Sequence, residues 1–167
     1  MTRQIRRQIV ELVLQAATLA RSIGISNLLQ PGLVKEMILA DILGHELITS
    51  KRDADAHDPE NPHILYEYLT CKEGGTGQLD RMFKEPPEKR AESLDRIRRN
   101  EKVYLAVFYA EEQTKVKVIY ELTPDVVVTE TERQLYRSRN TISHIDFSET
   151  WARGNGTVVF RDQSRST

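Results

Sequence analysis

The segment His63–Cys71 (HILYEYLTC) limits the possible folds more than any other stretch of the chain. It lies between Pro62 and Gly74-Gly75 and is rich in aromatic and β-branched residues, so it reads as a strand. Alternation puts Leu65, Glu67, Leu69 and Cys71 on one face and Ile64, Tyr66, Tyr68 and Thr70 on the other. Both faces are largely apolar, which predicts a central strand covered on both sides. Glu67 is the exception. A carboxylate in such a strand is costly unless it is paired, protonated or bound to a metal. From the residues alone, a buried arginine partner and a functional role are equally open.

The surrounding pattern supplies the covering layers. Ile5, Ile9, Leu12, Ala16, Leu19 and Ile23 recur at alternating spacings of four and three, predicting an N-terminal amphipathic helix stopped by Gly24. That stripe either covers its own domain or pairs with another subunit. Pro31-Gly32 breaks the chain, and a second helix follows with Val34, Ile38, Leu39 and Ile42, ended by Gly44. A short strand at 46–49 leads into a polar loop over 50–62. Two short helices are expected at 79–83 and 87–99, the second with proline at its start. Strands are expected at 103–109 and 116–122, a helix over 124–137, and strands at 141–147 and 157–160 around a helical turn near Trp151. Helices alternating with strands in a chain of 167 residues predict one α/β (α+β) domain over 1–161. Its central mixed β-sheet is flanked by helices, its core spans about 33–122, and residues 162–167 form a disordered tail.

Composition narrows the setting. No apolar run approaches the ~20 residues of a membrane span. Arg3, Arg6 and Arg7 are followed by Glu11 and Gln15 without a small-residue cleavage site, which argues against a secretory signal. The single cysteine, Cys71, excludes an internal disulfide and a cysteine-cluster zinc site. It fits a reducing, cytoplasmic setting. His45, His57, His63 and His144 lack zinc-site spacing. The net charge is −1, so any affinity for nucleic acid must come from local patches. Such patches exist. Residues 35–73 hold nine acids against four bases, and residues 81–102 hold eight bases against five acids. Carboxylates to hold Mg²⁺ beside cations to hold phosphate is what metal-assisted phosphodiester chemistry requires. Gly74-Gly75-Thr76-Gly77 reads as a turn, or as an anion-holding loop with Gln78 directed inward.

The order of these residues resembles a nuclease superfamily. Glu36 lies on a helix that leads to Gly44-His45-Glu46-Leu47; a polar turn with Asp55 follows, then a strand carrying Tyr66-Glu67-Tyr68-Leu69-Thr70. This is similar to the core of the PD-(D/E)XK, or restriction-endonuclease-like, nucleases over roughly 34–122. The resemblance implies Asp55 as the first acid, Glu67 as the second and Glu36 as the helix acid, with Mg²⁺ or Mn²⁺ as cofactor. Asp53 and Asp58 compete with Asp55 for the first position. The residue two after Glu67 is Leu69 where the family has lysine. Lys72 would have to enter through a bulge, or Thr70-Cys71-Lys72 would form the triplet instead. Arg96, Arg98, Arg99 and Gln78 are the expected DNA contacts. The implied activity is Mg²⁺-dependent hydrolysis of double-stranded DNA by a homodimer. The alternative is a catalytically inactive binding module of the same fold.

Overall fold

The computed structural model describes residues 2–50 and 54–164. Helix α1 (Thr2–Ser22) is followed by α2 (Leu33–Leu43), which Gly44 ends in the left-handed conformation at φ 70°. Strands β1 (Glu46–Leu47), β2 (Ala56–His57), β3 (Leu65–Lys72) and β4 (Thr76–Phe83) come next, then α3 (Pro87–Arg98) and β5 (Lys102–Phe108). The rest comprises β6 (Val116–Leu122), α4 (Pro124–Arg137), β7 (Ile142–Ser148), α5 (Glu149–Asn155) and β8 (Thr157–Arg161). Proline opens both α3 and α4, where its missing N–H costs nothing. The Ser148 hydroxyl caps α5 by accepting the Trp151 N–H at 3.1 Å.

A six-stranded sheet runs β1-β2-β3-β5-β6-β8. All its pairings are antiparallel except β3–β5, which is parallel. The sheet is therefore mixed, mostly antiparallel and flanked by helices, with β3 in its interior. One face (Leu69, Leu105, Val118, Tyr120) packs against α3, α4 and α5 and against the separate β4–β7 ribbon. The other (Tyr66, Tyr68, Tyr104, Phe108, Ile119) packs against Leu39 and Ala40 of α2. No helix among the described residues is long and apolar enough to cross a membrane.

Three expectations change. Residues 79–83 are strand, not helix: a bulge between Leu79 and Met82, with Arg81 at φ 54°, spaces the buried side chains in a way that imitates a helical turn. The segment after 161 is partly tied down. The Asp162 N–H donates to the Lys117 carbonyl at 2.9 Å, and the Asp162 carboxylate accepts the Tyr109 hydroxyl at 2.9 Å. Residues 165–167 lie outside the described residues. Finally, the segment expected to be loop over 50–62 contains the short strand β2. The covering of α1, left open by its sequence, is slight on its own domain, where Ala20 is its one buried residue.

The β4–β7 ribbon passes close to the sheet at Gly77. A Cβ there would lie 2.6 Å from Leu105 Cδ1 and 2.9 Å from Leu69 Cβ, both in the core. Gly77→Ala is expected to destabilise the fold by about 1–3 kcal/mol, read from the urea midpoint. An unchanged midpoint would contradict this packing.

Candidate functional site

Three carboxylates arrive from three elements. Glu36 stands in the first turn of α2. Asp55 ends the loop before β2 and is fastened to the middle of β3 at two points. Its N–H donates to the Tyr66 carbonyl at 3.1 Å, and its Oδ2 accepts the Tyr68 N–H at 2.7 Å. Glu67 lies on β3 opposite Val103 of β5, between the two fastening residues. All three side chains are partly buried.

The Asp55 charge acts on both glutamates. Burial, then the Asp55 charge and more weakly that of Glu36, pushes the Glu67 carboxyl up to about 8 against the opposing pull of Arg96 and Arg99. Glu36 rises to about 7 through burial and then Asp55. Asp55 rises to about 6 through burial, held back by the Tyr68 N–H and by Arg99. Among the described residues no ion pair closes on any of the three. Among the described residues the arginine-bridged alternative for Glu67 is thus not realised; Arg96 and Arg99 act on it from α3 and the turn after it.

A cleft of about 480 Å³ opens beside two of the acids, lined by Ile25, Asn27, Gln30, Glu36, Thr49 and Asp55 among others. On the α3 side, Glu67, Arg96 and Met82 line a void of about 10 Å³, the size of a single water. Among the described residues no three His, Cys, Asp or Glu side chains are close enough to enclose a metal ion. The donor chemistry nonetheless fits Mg²⁺, which keeps several of its waters and takes only one or two protein carboxylates.

The other sequence-derived residues divide clearly. Lys72 stays away from the acids. The β3–β5 register runs unbroken from Tyr66 to Lys72, so no bulge turns Lys72 toward Glu67. Five residues further along the strand, it lies about 16 Å away and on the opposite face. Thr70 faces with Lys72, which removes the alternative triplet as well. Asp58 is a turn residue whose Oδ1 accepts the N–H groups of Glu60 and Asn61 at 2.9 and 3.0 Å. Asp53 lies outside the described residues. Gln78 is held on the β4–β7 ribbon by Asp146 at 2.7 Å, and Arg98 pairs with Asp95 at 3.2 Å; neither is drawn to the acids. Gly74-Gly75 forms the tight turn between β3 and β4 rather than a helix entry. The Cys71 thiol is buried and pushed up to about 11, first by burial and then by Glu149, which disfavours its thiolate.

Two features escaped the sequence reading. The His45 ring stacks on Tyr66 at 3.9 Å and bonds the Tyr68 hydroxyl at 2.8 Å, bracing from the opposite face the strand that carries Glu67. The 24–30 segment forms one wall of the cleft. Neither carries a local signal, because each depends on contacts far apart in the chain.

No protein-family model and no curated protein sequence matches this chain.

Because folding raises all three carboxyl pKa values, the sign of the pH dependence is fixed. The folded state binds extra protons between the unfolded pKa near 4.5 and the folded value near 8 of Glu67. The associated stability is fully present below that window and is lost as pH rises through it. Without divalent cations, Glu67→Gln is expected to melt above the wild type at about pH 8.5, by ~2–4 °C per kcal/mol relieved, and to converge with it near pH 4.5. A wild-type midpoint above that of Glu67→Gln at high pH would contradict the assignment.

Proposed function

We propose that this chain is a divalent-metal-dependent DNA endonuclease of the restriction-endonuclease-like kind, hydrolysing phosphodiester bonds in double-stranded DNA. The observation that carries this reading is the set of three partly buried carboxylates, all raised by burial and two of them also by the Asp55 charge, with none closed by an ion pair among the described residues. The order of elements supports it: α2, the antiparallel strands β1, β2 and β3, a crossover through β4 and α3, and the strand β5 parallel to β3.

Asp55 and Glu67 would hold Mg²⁺ or Mn²⁺, with Glu36 beside them. When bound, such an ion polarises the scissile phosphate and makes an attacking water more acidic. The chain's own groups do the rest. Asp55 is kept deprotonated more readily than its neighbours by the Tyr68 N–H and Arg99. Arg96 and Arg99 supply the positive charge that the Leu69 position lacks, and they offer planar donors for phosphate oxygens. The cleft has room for one nucleotide-sized group beside Glu36 and Asp55.

Leu69, 2 % exposed and packed in the core, favours a second reading in which the fold binds DNA without cutting it. Plasmid nicking separates the two. Purified protein with Mg²⁺ is expected to nick supercoiled DNA, EDTA to stop it, and Glu67→Ala to lower the rate at least ~100-fold while leaving duplex binding intact. Salt-sensitive binding without metal-dependent nicking would leave only the binding module.

A further inference from the structure

His45 joins the helix that carries Glu36 to the strand that carries Glu67. It follows Gly44, which ends α2 in the left-handed conformation, and its own N–H donates to the Ala40 carbonyl at 2.9 Å. The imidazole is thereby tied to the carboxyl end of the helix whose first turn holds Glu36. From there it reaches β3 at two residues. Its ring stacks on Tyr66 with centroids 3.9 Å apart and planes 14° from parallel. Its Nδ1 shares a hydrogen bond of 2.8 Å with the Tyr68 hydroxyl.

Those two tyrosines are the residues that fasten Asp55. The Tyr66 carbonyl accepts the Asp55 N–H, and the Tyr68 N–H donates to Asp55 Oδ2. They are also the chain neighbours of Glu67 on either side. One imidazole is therefore clamped onto both anchoring points of one acid and both neighbours of another. The clamp is stiff. Tyr66 and Tyr68 are buried, so the Tyr68 hydroxyl would lose its His45 partner within a layer that offers little water. Tyr104 of β5 closes the cluster, its ring 5.5 Å from His45 and its hydroxyl donating to Glu121 at 3.3 Å.

Packing alone does not call for a histidine here. Leu39 and Ala40 already hold α2 on this face of the sheet, and any flat ring would fill the stack on Tyr66. What the imidazole adds is a directional bond to the residue whose N–H orients Asp55. We propose that His45 is the positioning residue of the acidic site. Its bond to Tyr68 and its stack on Tyr66 set the orientation of Asp55 and the spacing of Glu36 from Asp55 and Glu67, and with them the affinity for a hard divalent cation. Groups that orient metal ligands from outside change metal affinity by about 10–100-fold when removed. The cation part rests on the metal-dependent reading above; the positioning part does not.

Mn²⁺ titrated calorimetrically into the full chain tests the first part. His45→Phe keeps a ring on Tyr66, and Tyr68→Phe keeps the backbone N–H, while each removes the bond between the two side chains. Each is expected to weaken Mn²⁺ binding at least tenfold, at a temperature where circular dichroism shows the variant folded. The double variant is expected to bind no more weakly than either single one, because the same bond is lost in all three. Unchanged affinity in both single variants overturns the proposal. So does a double variant whose losses multiply, which would mean two unrelated packing defects. Amide hydrogen exchange tests the second part without metal. The Tyr68 N–H is expected to exchange at least tenfold faster in His45→Phe than in the wild type, with the β5 amides over 103–107 unchanged. Equal exchange at Tyr68, or an increase spread evenly over β5, overturns the positioning role. If the wild type binds no Mn²⁺, the cation part falls with the metal-dependent reading, and exchange at Tyr68 still decides the positioning.

Discussion

The parallel pairing of β3 with β5 governs the rest of the structure. Parallel neighbours cannot be joined by a tight turn, so the chain must leave β3 and return to the same end before β5 can begin. Here it makes that journey through the β4 excursion and α3. The return places α3 across the face of the sheet that carries Glu67, and it fixes where Arg96 and Arg99 stand relative to that carboxylate. A meander of antiparallel strands would have left Glu67 with no cationic neighbour. The crossover and the charge arrangement are one constraint expressed twice.

The arrangement is deliberately incomplete. Arg96 and Arg99 lower the Glu67 pKa, yet burial and the neighbouring carboxylates outweigh them, and no ion pair closes among the described residues. A structural ion pair would have brought one guanidinium into contact and depressed the pKa. The three acids instead sit in a state that is disfavoured without a compensating positive charge. That is the condition under which a hard cation, or a phosphate-bound cation, adds most to stability. Asp55 differs from the other two in being pinned by a backbone N–H, so its orientation is set before any ligand arrives.

Much of this was legible in the sequence, for identifiable reasons. Residues 63–71 read as a central strand because both of their faces are apolar, and Glu67 stood out because it contradicted its own strand. Asp55 could be separated from Asp58 only in three dimensions: both lie in polar turn sequence, and what distinguishes them is a bond to Tyr68 thirteen residues away. Residues 79–83 misled because a bulge is an extra residue, and an extra residue turns the two-residue period of a strand into the three-residue spacing of a helix. Lys72 misled for the opposite reason, since the bulge it required is absent. The exposed face of α1 was visible as a stripe, but whether the stripe is covered depends on where the domain ends, which periodicity does not encode.

The central claim is that Asp55 and Glu67 form a cation site. Anomalous diffraction from crystals soaked in Mn²⁺ tests it most directly. The account predicts a peak at coordinating distance from both carboxylates, about 2.0–2.3 Å from their oxygens, and its disappearance in Glu67→Gln. No peak there, with an Arg96 or Arg99 guanidinium closed onto Glu67 in the same map, would contradict it.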